Sequence, residues 1–220
     1  MKVCALIAVR AGSQRVKNKN IKKFANSSLL EIKINQLKRI KEIDKIYVNS
    51  DDDYMLRIAS NLGCNIVKRD SYYASNSVSM SEVYKNMAEN INADIIVYSN
   101  VTNPLINDDT ISNAINFYLK NSKKYDSVNT ASPVKQFLFL ENKPINYSLE
   151  NQPRSQDLPD IYALNFAISV ISKKLMIEQK NVVGKKPYLF PVTQIEGIDI
   201  DTSVDFEISE FLYKQKNSNK

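Results

Sequence analysis

Apolar and polar positions follow two rhythms along this chain. An unbroken apolar run, Val3 to Val9, stops at Arg10, the pattern of a strand covered on both faces. SSLLEIKINQLKRIKEI then places Leu30, Ile34, Leu37 and Ile40 at helical spacing, with Ser27 or Ser28 as cap. KIYVNS (45–50) predicts a second strand, followed by three acids, Asp51, Asp52 and Asp53, and a helix through Met55, Ile58, Ala59 and Leu62 that Gly63 stops. CNIVKR (64–69) is a third strand, a polar connection leads to a helix near 80–91, ADIIVYSN (93–100) is a fourth strand, and a helix runs from about 109 to 120. Such alternation, with long crossovers, requires parallel strands. The expected fold is α/β, a doubly wound, mostly parallel sheet.

SVNTA (127–131) continues the sheet, and QFLFLENKPINYSLENQPRSQDLP (136–159) then turns aromatic and rich in Pro and Asn. It predicts an antiparallel excursion with Asn142-Lys143 as hairpin turn. ALNFAISVI (163–171) returns as a strand, 173–179 forms a short helix, and GIDIDTSVDFEISEFLYKQK closes as strand, acidic turn and amphipathic helix, with frayed ends at 217–220. At 220 residues the chain fits one domain, 1–220, with the excursion at 136–162 inside it.

Composition narrows the chemistry. Histidine is absent, which excludes serine-histidine and cysteine-histidine nucleophiles and histidine metal sites. Acid-base or metal work falls to carboxylates, Lys, Tyr or water. The two cysteines, Cys4 and Cys64, read as core thiols and not as a disulfide framework. A net charge of +6 permits nucleic-acid binding, but Lys and Arg are dispersed and no nucleic-acid motif occurs, so no nucleic-acid partner is expected. The apolar start imitates a signal peptide but is too short, and no spanning segment follows; a cytoplasmic protein without a membrane partner is expected.

The strongest chemical signal follows the first strand. Arg10-Ala11-Gly12-Ser13 opens a loop carrying Arg15, Lys17, Lys19, Lys22 and Lys23, at the strand end where open α/β sheets bind ligands. Gly12 allows close backbone approach, Ser13 offers a hydroxyl and the cations supply field, so a polyanionic ligand is expected. Neither G-x-x-x-x-G-K-[ST] nor G-x-G-x-x-G is present, which argues against P-loop and classical dinucleotide sites. Near the other end, Ile198-Asp199-Ile200-Asp201 alternates. On a strand both carboxylates would share one face, and hard oxygen ligands near phosphate describe magnesium.

VRAGSQRVKNKN, VNSDDD, VKRDSYYAS, YSNVTNPL, QPRSQDLP and GIDIDTSVDFE occur in the order and approximate spacing of the cytidylyltransferases that activate acidic sugars, of the acylneuraminate and 3-deoxy-manno-octulosonate type. The chain resembles that family from residue 3 to about 212. The resemblance implies that CTP and a sugar acid give a CMP-sugar and pyrophosphate, with magnesium, in a homodimer. It implies Arg10, Ala11, Gly12, Ser13, Arg15, Lys19 and Asn20 at the triphosphate, Arg69 and Ser79 at the nucleotide, and Asp199 and Asp201 at the metal. One of those carboxylates accepts the hydroxyl proton, with Arg10, Lys19 and Asp201 as catalytic residues. Asn100 faces nucleotide and sugar, Asn165 faces the sugar, and Arg154 reaches the neighbouring subunit's site, with the aromatic excursion as dimer contact. Asp51 resembles the family's second-strand acid, and reads equally as a helix N-cap.

Departures bear on the acceptor. The family's usual loop lysine is Gln14 here, its Q-P-T-S-P-L-R is Asn100-Val101-Thr102-Asn103-Pro104-Leu105-Ile106, and its R-P-N-G-A is Ala163-Leu164-Asn165-Phe166-Ala167. Phosphate and metal positions are largely kept while positions around the sugar change, so a nonstandard acidic sugar is expected, not ordinary sialic acid. A different acceptor, such as an alditol phosphate or a phosphonate, and a nucleotide-binding relative without turnover are the alternatives.

Overall fold

The computed structural model describes residues 1–218. The first half alternates as the periodicity predicts: β1 (Val3–Ala8), a short hairpin of β2 (Lys23–Phe24) and β3 (Ser27–Ser28), α1 (Leu29–Leu37), β4 (Lys45–Ser50), α2 (Asp53–Asn61), β5 (Asn65–Lys68), α3 (Ser71–Ala74), α4 (Met80–Glu89), β6 (Ile95–Tyr98) and α5 (Asp108–Asn121). The second half holds β7 (Ser127–Val134), a hairpin of β8 (Phe139–Leu140) and β9 (Lys143–Pro144), a 3-10 turn at Ser155–Asp157, β10 (Ile161–Ser172), α6 (Lys173–Gln179), β11 (Pro187–Pro191) and α7 (Ser203–Ser218).

Seven strands form one sheet in the order β11-β7-β10-β6-β1-β4-β5. Neighbours are parallel except where β10 runs antiparallel between β6 and β7. Alternate residues of β1 enter opposite layers. Ala5 and Ile7 pack with Ile34 of α1, Met55 of α2, Ile115 of α5 and Phe206 of α7. Cys4 and Leu6 pack with Val83 and Met87 of α4 and Met176 of α6. With both faces covered, β1 must be apolar throughout, which is why its pattern is continuous. The chain steps from β1 outward to β4 and β5 across the first layer, then returns over the second to place β6 on the other side of β1. Loops leaving the carboxyl ends of β1 and β6 therefore diverge, and a crevice opens between them.

Ser28 caps α1, its hydroxyl accepting from the Glu31 amide. Three expectations are corrected, and one strand is added that the periodicity does not predict. Ile198 to Asp201 is not a sheet strand; its backbone is held instead by the loop after β6, with the Ile200 amide donating 2.9 Å to the Thr102 carbonyl. The edge strand β11 lies where prolines at both ends disguise it, a position that tolerates proline because one side needs no ladder bonds. The excursion hairpin turns at Glu141 and Asn142, both with positive φ (48° and 63°), one residue earlier than predicted; a two-residue turn of this hand needs both centres left-handed. α7 continues through Asn217 and Ser218, whose side chains donate to the Tyr213 and Lys214 carbonyls at 2.8 Å, so these two residues are not frayed; residues 219 and 220 lie outside the described residues. No helix among the described residues is long and apolar enough to cross a membrane.

Candidate active site

A cavity of about 480 Å³ opens at the crevice between β1 and β6, lined by Arg10, Gly12, Ser13, Gln14, Arg15, Lys19 and Asn20 on one side and Asn100, Val101 and Thr102 on the other. The basic loop is shaped from within. Gly12 takes φ +75°, a conformation that penalises any Cβ. Val16 is buried and anchors the loop to the core. Asn20, almost fully buried, donates from its amide to the Arg10 carbonyl (3.2 Å), so it closes the loop against backbone. Asp51 accepts from the Ala11 amide at 3.1 Å, while the N-cap role on α2 falls to Asp52, which accepts from the Met55 amide. Asp51 thus supports the loop and is not the cap.

The acidic pair faces this loop. Arg15 lies 2.8 Å from Asp201, and the Lys19 amine 3.9 Å from the same oxygen while donating to the Ile200 carbonyl. Asp199 is more enclosed, and its Oδ1 is buried without a hydrogen-bond partner. Burial raises its proton affinity above that of an ordinary aspartate and the Asp201 charge adds to this, while the Thr102 hydroxyl and Lys19 oppose it. Burial lowers the Lys19 pKa, with the two aspartates pulling it back up. Two carboxylates, one carrying an orphaned oxygen, beside a loop of cations form a site with unsatisfied demand for positive charge.

A second hollow of about 370 Å³ adjoins the first through Ala8, Val9 and Arg10, and is walled by Arg69, Tyr73, Val83, Met87 and Tyr98. Arg69 is 5% exposed. Its Nε and Nη2 donate to the side chain (2.5 Å) and backbone carbonyl (3.1 Å) of Asn49, and none of its hydrogen bonds among the described residues goes to a carboxylate. Burial holds this guanidinium below the usual arginine range. Such a group, at the end of an aromatic and thioether-lined hollow, has the chemistry to match a flat ligand with exposed acceptors. Arg10 stands at the junction, donating to the Ala74 carbonyl (3.0 Å) and Asn76 Oδ1 (2.9 Å).

The structure therefore brings together Arg10, Gly12, Ser13, Arg15, Lys19, Asn20, Asn100, Asp199 and Asp201, with Ala11 in the same loop and Arg69 in the adjoining hollow. Three expected residues stand apart. Ser79 caps α4, accepting from the Glu82 amide. Asn165 has its amide engaged by Thr130, Ser132 and the Ala167 backbone. Arg154 is exposed and pairs with Asp157 at 2.7 Å. Phe166, next to Asn165, takes φ +53° inside the irregularity between Leu164 and Ser169, a costly conformation for a bulky side chain. Sequence reasoning missed Asn49 and Thr102. A polar residue inside the fully buried end of β4 was the available signal for Asn49; Thr102 had none beyond its place after β6.

The cytidylyltransferase family model matches residues 4–211. Post-translational flagellin modification protein B of Campylobacter coli is 26% identical over 98% of this chain and 96% of its own length. A pseudaminic acid cytidylyltransferase of Campylobacter jejuni is 26% identical over 97% of each chain. Among solved structures, a CMP:2-keto-3-deoxy-manno-octonic acid synthetase complexed with CTP superposes with a TM-score of 0.74 at 15% identity, covering 98% of this chain and all of the other, which establishes the shared fold.

Proposed function

The chain belongs to the cytidylyltransferase family, and from that premise we propose that it transfers CMP from CTP to a hydroxyl of an acidic sugar, a nonulosonic or related 2-keto sugar acid, releasing pyrophosphate. The observation that carries this reading is the two-part cavity, in which a hollow ending in the buried Arg69 guanidinium opens directly into a loop of cations facing Asp199 and Asp201. Cytosine presents adjacent acceptors on its pairing edge, and an arginine with free N–H groups complements them. The triphosphate then lies along Arg10, Ser13, Arg15 and Lys19.

The acceptor hydroxyl attacks the α-phosphorus; a new oxygen–phosphorus bond forms as the bond to the β-phosphate oxygen breaks. Negative charge builds on the departing pyrophosphate, so cations already placed there stabilise the transition state more than the ground state. Asp201, the more accessible of the two acids, takes the hydroxyl proton. Asp199 and Asp201 fit magnesium, since the orphaned Asp199 oxygen is buried beside a second carboxylate; the ion would supply positive charge against the triphosphate.

We assign the excursion to a homodimer contact. Phe139, Leu140, Ile145 and Leu149 are all more than half exposed there, and the exposed Arg154 on the same segment would exchange its ion pair with Asp157 for a place in a partner's cavity. The acceptor is read as other than ordinary sialic acid: Ile106 is fully buried where the resembled motif carries a cation, and Phe166 crowds the bulge beside Asn165. The pseudaminic acid specificity of one relative supports this class. With CTP as donor, the cytoplasm is the expected compartment.

Thermal unfolding with each of the four NTPs, with and without magnesium, tests the nucleotide half. A ligand at about 100 times its dissociation constant adds roughly 2.7 kcal/mol, and each kcal/mol moves Tm by about 2–4 °C in a chain of this size. Selective stabilisation by CTP, followed by pyrophosphate release with a nonulosonic acid, is the expected result. An equal response to all four nucleotides, or none, removes cytidylyl transfer.

A further inference from the structure

The loop after β6 crosses the carboxyl end of the sheet while buried, with Asn103, Leu105 and Ile106 essentially inaccessible. Irregular buried backbone must find partners outside itself. Its carbonyls are taken in turn by side chains of the covering helices: Asn103 by Lys33 (3.0 Å), Leu105 by Lys216 (3.1 Å) and Ile106 by Gln36 (2.7 Å). On its other side the same loop grips the acidic segment, since the Asn103 side-chain amide (Nδ2) donates to the Ile198 carbonyl (3.0 Å) and the Thr102 carbonyl accepts from the Ile200 backbone amide (2.9 Å). Asn103 is the shared link, held by Lys33 and holding Ile198.

We infer that Lys33 is a positioning residue: its tie to the Asn103 carbonyl fixes residues 100–103 and, through them, the 198–201 segment that holds Asp199 and Asp201 against the cationic loop. Its effect on transfer rests on the function proposed above; the tie does not. Lys33 lies on α1 with no exposed surface, one position before the core residue Ile34, where a lysine is costly unless it is needed. Its other hydrogen bond goes to Gln36 Oε1 at 2.9 Å. Burial pushes the amine down to about 7, against the weaker pull of Asp108. The neutral amine still carries two N–H groups, one for each acceptor, so the tie survives without a buried charge.

The test uses the full-length wild type, K33M and K33Q, with backbone amide exchange followed beside steady-state kinetics. K33M keeps the apolar stem and removes the donor; K33Q restores a shorter one. In K33M, exchange at residues 198–202 is expected to rise about tenfold with β1 unchanged, and kcat to fall about tenfold with the KM for CTP within about twofold. K33Q is expected to recover part of both, and it decides the matter if K33M does not fold. Exchange at 198–202 identical to wild type in the folded variants, or a rate loss matched by the loss of folded protein alone, overturns the inference. Faster exchange in K33M, in a wild type that releases no pyrophosphate with any acidic sugar, sustains the tie and defeats the functional reading instead.

Discussion

The strands and helices from β1 to α5 spend their apolar side chains inward, on two layers around the sheet; the excursion between β7 and β10 spends them outward. That excursion is nonetheless ordered. Phe137 and Phe139 pack edge-on against Tyr147, the buried Asn146 amide ties Gln136 to Leu138, and Lys135 reaches back to the Leu158 carbonyl. Its exposed residues are thus held in place before anything covers them, unlike a loop that orders on contact. The difference teaches where the proposed reaction divides. In the proposed reaction the nucleotide end draws on residues of one chain alone, whereas the segment carrying Arg154 leaves its apolar side chains exposed and lines neither hollow of that chain's own cavity.

The largest expected effect tests the self-contained half. Lys19→Met removes a cation from the loop and its bond to the Ile200 carbonyl, and should lower kcat by about 10²–10³-fold. The loss should be the same at every protein concentration. A deficit that vanishes as the protein is concentrated would mean that the nucleotide end also depends on assembly, and the comparison would collapse.

The next test sharpens the other half. Arg154→Ala should abolish most transfer while leaving CTP-induced stabilisation intact. Mixing inactive R154A with inactive K19M should then restore roughly a quarter of wild-type activity, because half of the dimers pair unlike subunits and each of those holds one intact site. No recovery on mixing, with subunit exchange verified, removes the role of Arg154 in its neighbour's site. Smaller still is Leu149→Glu, a charge on the exposed excursion. It should weaken self-association in sedimentation and lower specific activity by about tenfold only in dilute protein.

How far the sequence was legible follows the same division. β1, α1 and the loop cations were readable because a covered strand, an amphipathic helix and a cation-rich loop each carry a local pattern of period or charge. The cap of α1 was readable to within one residue, Ser27 or Ser28, and the structure gives it to Ser28. Lys33 was not: helical spacing marks Leu30, Ile34 and Leu37 as the buried face, and nothing local announces that the lysine between them is buried too. Its reason lies 70 residues away, at the Asn103 carbonyl. Asp51 read equally as the family's second-strand acid and as the cap of α2, and the cap falls to Asp52, since only the three-dimensional path of the β1 loop decides which of the two meets the Ala11 amide. Asn165 and Arg154 were reachable only through resemblance, and in the single chain neither lines the cavity.

The smallest effect concerns what anchors the acidic wall. Glu196, just before Gly197, is buried and accepts from the Asn107 backbone and side-chain amides (3.1 and 2.8 Å), the Thr110 hydroxyl (2.5 Å) and the Thr193 hydroxyl (3.0 Å). Burial alone would raise its pKa, but the donors from Thr110, Asn107 and Thr193 outweigh it and hold the carboxyl below the ordinary glutamate value. The unfolded chain then binds this proton more readily than the folded one, so the stabilisation is complete above the unfolded value of about 4.3 and drains away as pH falls through the folded value. Glu196→Gln should cost roughly 1–3 kcal/mol at neutral pH, lowering Tm by a few degrees, and should flatten the loss of Tm between about pH 5 and 3. An acid limb with the same slope in both proteins would place the titrating anchor elsewhere. Because Glu196 joins the acidic segment to α5 within one chain, its effect on Tm should not change with protein concentration, in contrast to the concentration-dependent effect of Leu149→Glu.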